Sequence, residues 1–361
     1  MNYLFELISS KPILIVILLS NFFQVLSQTS EIAIVAGGNG RGDLLNQLDY
    51  PSGIVVMSNG EVLVADLLNS RVQKWSPNAK VGVTIAGGNG SGNGANQLNF
   101  PRGLVIDQDD NLFVVDSRNH RVQKYLKGTN VGITVAGGNG QGLSSTQLNL
   151  PMGIDINENG DIFIADTHNH RIQKWAKGAT SGITVAGNRN KPGSGDKYLR
   201  FPVDVTLDLK GSLYIADRDN HRIQKWSSGY NVSTLVAGTG SKGAKFKQLN
   251  YPESVTIDAL GNIYVSDTRN HRIQKWSLGS KEGISLIGGN GSGNVLNKLN
   301  FPRDIAFDKD QNLYVSDGDN YRVLKINKQD WYFSNRDTKE YKSHLFILYL
   351  FILLSLTNIC K

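Results

Sequence analysis

The sequence contains a single cysteine among 361 residues, and this residue, Cys360, is the penultimate one. One cysteine excludes a disulfide within the chain and a zinc site built from several cysteines. It also leaves everything before the C-terminal segment without a thiol nucleophile. Stability must therefore come from side-chain packing, for which a chain of about 300 residues buries enough core.

Helical and metal-binding patterns are also missing. No segment has apolar residues at the 3.6-residue spacing of an amphipathic helix over a useful length. Of six histidines, only His168 lies before the C-terminal segment and outside one repeated position, which is occupied by His120, His170, His221 and His271. Equivalent positions of a repeat are too far apart to share a zinc ion, because Zn–N bonds are about 2 Å long. No metal site of this kind is expected.

The formal net charge of +7 does not indicate a nucleic-acid partner. Twelve basic residues belong to a repeated Arg-x-x-Lys pattern, such as Arg121 and Lys124. They are distributed over the whole chain and form no basic run of the kind that binds nucleic acid.

What the sequence does contain is one pattern written six times. Its aspartates are spaced 50, 50, 51, 50 and 50 residues apart, and each is followed, after two intervening residues, by an Asn-x-Arg triplet. A fixed period of this length predicts a repeat architecture. The aspartates are Asp66, Asp116, Asp166, Asp217, Asp267 and Asp317.

Each repeat contains four short runs rich in β-branched and aromatic residues, separated by Gly, Asn, Asp and Pro clusters. In the second repeat the runs are residues 103–107, 111–116, 121–125 and 132–137. Such runs are strands, and the clusters between them are turns. We therefore predict an all-β fold, a six-bladed β-propeller of four-stranded antiparallel blades.

The ends of the repeat array predict how the ring closes. Repeats one to five each end with a fourth strand, whereas the sixth stops at Ile326 without one. The missing strand is found in residues 32–36. Pairing of this N-terminal strand with residues 322–326 closes the last blade and leaves no open edge. The predicted propeller spans residues 31–327.

The triplet Asn-His-Arg, at 119–121, 169–171, 220–222 and 270–272, resembles the NHL repeat. Variants at 69–71 and 320–322 extend the resemblance over roughly the whole predicted propeller. The resemblance implies a β-propeller fold. It leaves the function open, because the NHL family includes RNA-binding modules, substrate domains of ubiquitin ligases, extracellular receptors and a peptide-amidating lyase.

Two apolar segments flank the propeller. Residues 13–19 follow Lys11 and predict a signal peptide over residues 1–27, with an uncleaved membrane anchor as the alternative. A polar spacer, residues 328–344, precedes a hydrophobic tail, residues 345–361, whose apolar run is shorter than the roughly 20 residues that cross a bilayer. The tail predicts a glycolipid (GPI) anchor signal, with a short membrane helix or free secretion as alternatives.

These segments predict a protein of the secretory pathway, located outside the cell or at its surface, with a membrane contact through the tail. Glycosylation is compatible with that location. The candidate acceptor sequences begin at Asn89, Asn231 and Asn290.

A binding site is expected where the repeats differ. The pair of residues after each repeated proline and the variable residue before each Asn-x-Arg triplet lie on one face of the predicted ring. Charges enter these positions in some blades only, which predicts a ligand-binding mouth of mixed charge, because arginine pairs with carboxylate or sulfate. Ordinary solvated surface is the alternative. The candidate residues are Arg102, Arg118, His168, Asp204, Glu253, Arg269, Arg303 and Asp304.

Two loops, residues 187–200 and 238–248, depart from the Gly-Gly-Asn-Gly pattern of the others. They are predicted on the same face, where they form a basic sector that is the first candidate for a partner surface. The sector consists of Arg189, Lys191, Lys197, Lys242, Lys245 and Lys247.

Three functions follow from these observations. The leading one is a non-enzymatic extracellular recognition module for a protein, peptide or glycan, since no catalytic residue can be assigned. The alternative is a hydrolase or lyase with Ca²⁺ in the channel, which six-bladed propellers of related shape imply. Its candidate ligands are Asp155, Asp204, Glu253 and Asp304. An RNA-binding or ubiquitin-ligase role follows from the resemblance alone, and the lone cysteine excludes a RING domain in this chain.

Overall fold

The computed structural model describes residues 32–188, 190–227, 229 and 232–328. Within these residues, 24 strands form six four-stranded antiparallel sheets. The sheets are the blades of a propeller, and the predicted fold class is confirmed.

The strands lie in the turn-bounded apolar runs of each repeat. The N-terminal strand and blades 1 to 3 comprise β1 (Ile32–Gly37), β2 (Pro51–Val56), β3 (Val62–Asp66), β4 (Arg71–Trp75), β5 (Val83–Gly87), β6 (Pro101–Ile106), β7 (Leu112–Asp116), β8 (Arg121–Tyr125), β9 (Gly132–Gly137), β10 (Ile154–Ile156), β11 (Ile162–Asp166), β12 (Arg171–Trp175) and β13 (Ile183–Gly187). Blades 4 to 6 comprise β14 (Pro202–Leu207), β15 (Leu213–Asp217), β16 (Arg222–Trp226), β17 (Ser233–Gly238), β18 (Ser254–Ile257), β19 (Ile263–Asp267), β20 (Arg272–Trp276), β21 (Ile284–Gly288), β22 (Pro302–Phe307), β23 (Leu313–Asp317) and β24 (Arg322–Ile326).

Blades 1 to 5 each consist of four consecutive strands, beginning with β2, β6, β10, β14 and β18. The first strand of every blade is innermost and adjoins the first strands of both neighbouring blades around the central channel. In five blades the turn after the second strand is a short 3-10 helix, and these helices span Ser117–Asn119, Thr167–Asn169, Arg218–Asn220, Thr268–Asn270 and Gly318–Asn320.

The sixth blade has the strand order β1-β24-β23-β22 and therefore contains both ends of the repeat array. The antiparallel pairing of β1 with β24 runs from Ile32 opposite Ile326 to Gly37 opposite Arg322. The predicted closure of the last blade by the N-terminal strand is confirmed.

The hydrophobic core lies between the blades. Trp276, at the end of β20, is 1% exposed and belongs to one cluster with Val203 and Tyr214 of blade 4. Each of the other interfaces has a comparable cluster, with Trp75, Tyr125, Trp175, Trp226 or Ile326 at the same position. Full burial of one such large side chain contributes about 3 kcal/mol. The blades therefore stabilise one another, because an isolated sheet would leave these apolar side chains exposed to water.

The repeated Asp-Asn-Arg residues fix the loops. In blade 2, Oδ2 of Asp116 accepts hydrogen bonds from Asn119 Nδ2 at 2.8 Å and Arg121 Nε at 2.7 Å. The guanidinium of Arg121 also donates to carbonyls of the loop before the blade, at Asn93, Gly94 and Gln97. The Asp–Arg ion pair recurs in all six blades. These residues are structural, and they bring the loop and the turn to one face, here called the upper face.

No helix in the described part of the chain is long and apolar enough to cross a membrane. The predicted signal peptide (1–27), the tail (345–361) and all of the spacer after Lys328 lie outside the described residues.

Candidate functional site

A ring of large side chains surrounds the channel on the upper face. These half-buried residues precede the repeated prolines, and their φ angles lie between 45° and 57°. A left-handed backbone is unfavourable for bulky residues and needs support from its surroundings. In four blades that support includes a hydrogen bond from the backbone N–H to a histidine Nδ1, such as Leu150 to His120 at 3.0 Å. The ring consists of Tyr50, Phe100, Leu150, Phe201, Tyr251 and Phe301.

Three predicted site residues lie on this ring. The guanidinium carbon of Arg118 lies 3.6 Å from the ring centroid of Phe100, and that of Arg269 lies 4.0 Å from the centroid of Tyr251. Both arginines are exposed, so their cation–π contacts orient them while leaving their hydrogen-bond donors accessible. His168 packs edge-on against Phe201, with centroids 5.1 Å apart, and partial burial lowers the pKa of its imidazole.

The channel mouth inside this ring is narrow. Its cavity has a volume of about 40 Å³, enough for a small group or a few waters and too small for a sugar ring. The residue after each repeated proline lines the mouth, and these residues are Ser52, Arg102, Met152, Val203, Glu253 and Arg303.

Arg102 is the cation without a partner in this mouth. Among the described residues its guanidinium makes no hydrogen bond or ion pair, although it is half-buried and lines the cavity. Desolvation is the main cause that lowers its pKa to about 10, and Arg303, Arg218 and Arg118 lower it further. The carboxylate of Glu253 opposes this shift, less strongly than desolvation promotes it but more strongly than any one of the three arginines. Because the guanidinium is desolvated and repelled by three arginines, an anion that bonds to it directly would be favoured.

Glu253 and Arg303 form an ion pair across two blades, with Oε2 and Nη1 3.2 Å apart. The pair leaves Nε of Arg303 buried and without a hydrogen-bond partner among the described residues, and the same is true of Oδ1 of Asp319. Arg303 also lies over Tyr50, with 5.4 Å from its guanidinium carbon to the ring centroid. The structure thus brings Arg102, Glu253 and Arg303 together at the centre of the predicted site.

Asp204 and Asp304 join neighbouring blades. Oδ2 of Asp204 accepts the backbone N–H of Val255 at 2.9 Å, and Oδ2 of Asp304 accepts that of Ile54 at 2.8 Å. In blades 1 to 3 the same position is glycine, and there the strands approach directly: the N–H of Gly103 donates to the carbonyl of Met152 at 2.9 Å. The two aspartates therefore have a structural role that sequence reasoning did not assign to them.

Ser254 lies between these two carboxyl groups. Its hydroxyl donates to Oδ1 of Asp304 at 2.7 Å, and the same side chain lowers the pKa of Asp204 to a lesser extent than burial raises it. Burial, together with the neighbouring Asp304, raises the pKa of Asp204 well above its usual value.

The predicted calcium ligands do not converge. Asp155 reaches the next blade as well, where its Oδ2 accepts the N–H of Leu207 at 2.8 Å. In the described part of the chain, no three acidic, histidine or cysteine side chains are grouped in a way that could hold a metal ion. The oxygens of Asp155, Asp204 and Asp304 are engaged in holding the inner strands together, and Glu253 is engaged with Arg303.

The basic sector lies on the upper face outside the mouth. The side chain of Arg222 fixes one of its loops through the carbonyl of Ser194, and Arg272 fixes the next through that of Ala244. Exposed lysines extend from these loops together with the 57% exposed ring of Phe246. The lysines are Lys191, Lys197, Lys242, Lys245 and Lys247, whereas Arg189 lies outside the described residues.

The candidate glycosylation sites are placed only in part. Asn89 and Asn290 are exposed in upper-face loops, and the amide of Asn89 donates to the carbonyl of Asn96 at 3.1 Å. Asn231 lies outside the described residues.

Six radially arranged four-stranded blades around a channel define a six-bladed β-propeller. The family model described as the NHL repeat matches all six blades, at residues 48–75, 98–125, 148–175, 199–226, 249–276 and 299–326. The chain is an NHL-repeat β-propeller. The resemblance noted in the sequence is thereby confirmed.

Solved structures resemble this chain in fold. An auxiliary nutrient binding protein from Bacteroides thetaiotaomicron is 14% identical, with a TM-score of 0.62 over 83% of this chain and 77% of the other. A gluconolactonase from Xanthomonas campestris is 12% identical, with a TM-score of 0.58 over 83% and 90% of the two chains. A streptogramin B lyase is 14% identical, with a TM-score of 0.53 over 82% and 97%. A search of curated proteins finds no match.

Proposed function

We propose that this propeller is a non-enzymatic recognition module that binds an anionic group of an extracellular peptide or glycan at the mouth of its channel. The single observation that supports it most is Arg102, a half-buried guanidinium that has no hydrogen bond or ion pair among the described residues and lines the mouth. A carboxylate or sulfate supplies the paired acceptors that such a guanidinium lacks.

The surroundings of Arg102 support the same class of ligand. Arg303 is next to it. Arg118 and Arg269 lie against Phe100 and Tyr251 of the ring of large side chains, with their hydrogen-bond donors accessible. The mouth admits one small group, so the rest of the ligand would lie on the upper face. There the ring of large side chains and the basic sector offer further contact area.

An extracellular location is part of the proposal, and its support comes from the predicted signal peptide and tail. The auxiliary nutrient binding protein is an example of a propeller described as a binding protein. At 14% identity it supports the fold alone.

Glycan and peptide arrays, each with carboxylated, sulfated and neutral members, test the proposal with the purified protein. We expect binding of acidic members that weakens as salt is raised, because exposed charge pairs are screened. Arg102→Met should reduce that binding about tenfold or more, since a hydrogen bond to a charged group is worth about 1.5–3 kcal/mol.

Lys210→Ala is the matched control, because Lys210 is an exposed cation in a turn on the opposite face. Binding that survives Arg102→Met unchanged, or that prefers neutral ligands, would contradict the proposal. Whether the glycan or the peptide array responds decides which carrier presents the anion.

A further inference from the structure

A second cavity, larger than the channel mouth, lies away from the channel, between blades 2 and 3 on the lower face. Its volume is about 350 Å³, within the range of small-molecule sites. One wall is formed by Phe113 and Val135 of blade 2, and the other by Ile156, Ile162 and Trp175 of blade 3. The channel mouth and the basic sector contribute no residue to it.

The side chains facing the cavity are smaller than the corresponding pair at one other interface. At the interface of blades 5 and 6 the corresponding pair is Tyr264 and Phe307, whose rings meet edge-on with centroids 4.7 Å apart. The tyrosine hydroxyl there bonds to Asp258 at 3.0 Å. Between blades 2 and 3 the pair is Phe113 and Ile156, which lacks both the hydroxyl and the second ring. The space that a ring pair occupies elsewhere in this molecule is thus left open.

Charged groups stand at the entrance of the cavity. Lys124 and Asp107 form an ion pair at 3.0 Å and compensate each other. Asp109 and Glu158 line the cavity as well, and both are exposed. Lys177 also lines it, with its stem against Gly160. Three carboxylates and two ammonium groups give the entrance a net charge of −1.

We propose that this cavity is a binding site for a small ligand with an apolar, ring-containing body and a single ammonium group. The apolar walls take the ring, since burial of apolar surface is the main favourable term in such sites. The ammonium lies at the entrance between Asp109 and Glu158. The excess of carboxylates there disfavours an anionic ligand.

Three indole derivatives of similar size test the charge preference on the full-length protein: tryptamine, tryptophol and indole-3-acetate. Saturation-transfer NMR and calorimetry should show tryptamine binding most tightly and indole-3-acetate least. Joint replacement of Asp109→Asn and Glu158→Gln should lower tryptamine affinity about threefold to tenfold, as expected for exposed charge pairs.

A double substitution tests the cavity itself. Phe113→Tyr with Ile156→Phe reproduces the Tyr264–Phe307 pair that this fold already accommodates, so the melting temperature should hardly change. Filling the space should reduce tryptamine affinity about tenfold or more. The control is Phe163→Tyr with Leu207→Phe at the next interface, outside the cavity, which should leave affinity unchanged.

Absence of tryptamine binding would overturn the proposal, and so would tighter binding of indole-3-acetate. Equal loss of affinity in the filled variant and in its control would also overturn it, because the effect would then not come from this cavity. A loss confined to the filled variant, with an unchanged melting temperature, supports it.

Discussion

Nδ1 of His120 accepts the backbone N–H of Leu150 at 3.0 Å, and this bond connects the turn of blade 2 to the segment that leads into the first strand of blade 3. The same bond links His170 to Phe201, His221 to Tyr251 and His271 to Phe301. An acceptor nitrogen carries no proton, so each of these imidazoles is neutral in the assembled ring. Burial lowers the pKa of all four.

The first prediction is a loss of stability on mild acidification. Since the folded pKa values lie below the unfolded value of about 6.5, the unfolded chain takes up protons first as the pH falls. The stability that the imidazoles supply is present above about pH 6.5 and is lost below it. His120→Asn should therefore cost about 1 kcal/mol at pH 7.5 and much less at pH 5. Urea unfolding at both pH values measures the difference, and a cost that does not change with pH would contradict the prediction.

Asp155 should have the opposite pH dependence. Burial raises the pKa of its carboxyl group to about 6, so the folded state prefers the protonated form. Its contribution to stability is present below the unfolded pKa and is lost as the pH rises through about 6. The free energy of unfolding of the parent protein should fall by about 2 kcal/mol between pH 4 and pH 6 because of this group, and Asp155→Asn should abolish that fall. The free energy of unfolding of both proteins across that interval provides the check, and parallel curves would refute the assignment.

Arg102→Met should separate binding from stability. The substitution removes the desolvation cost of Arg102 and its repulsion by Arg303 and Arg118, and it loses only the attraction to Glu253, which is weaker than the desolvation effect. We expect a melting temperature equal to or above that of the parent protein, together with weaker binding of acidic ligands. Calorimetry measures the first and titration the second. A marked drop in melting temperature would show that Arg102 has a structural role instead.

The glycines of the innermost strands should not tolerate a side chain. A Cβ atom on Gly103 would lie 2.7 Å from the carbonyl oxygen of Met152, and both strands are fixed by their blades. Gly103→Ala should cost about 1–3 kcal/mol. Gly195→Ala is the control, because its nearest contact would be 3.5 Å from the ring of Tyr198. Similar melting temperatures of the two variants would contradict the prediction.

Most of the fold could be predicted from the sequence, because it depends on repeated local signals. The even spacing from Asp66 to Asp317 predicts six equal blades, and the missing fourth strand after Ile326 predicts the closure. Both signals, the spacing of the aspartates and the number of strands in each repeat, are read along the chain. They do not depend on the direction in which side chains point.

For the candidate site, the sequence predicts which residues are present but not how they pair. The charges of Arg102, Glu253 and Arg303 could be assigned to the mouth, but their pairing could not, since it depends on distances across the ring. The use of Asp204 and Asp304 as links between blades depends on side-chain direction. The cavity beside Phe113 and Ile156 depends on how two blades pack against each other, and no local sequence signal marks it.

The pairing of β1 with β24 sets an order of events during synthesis. β1 is made first, yet its partner, Arg322–Ile326, is made after every other strand of the propeller. Until then the growing polypeptide carries two unpaired edges, of the kind that invite association between molecules. An unfinished ring therefore exposes these edges for most of its translation, and synthesis of residues 322–326 ends the exposure.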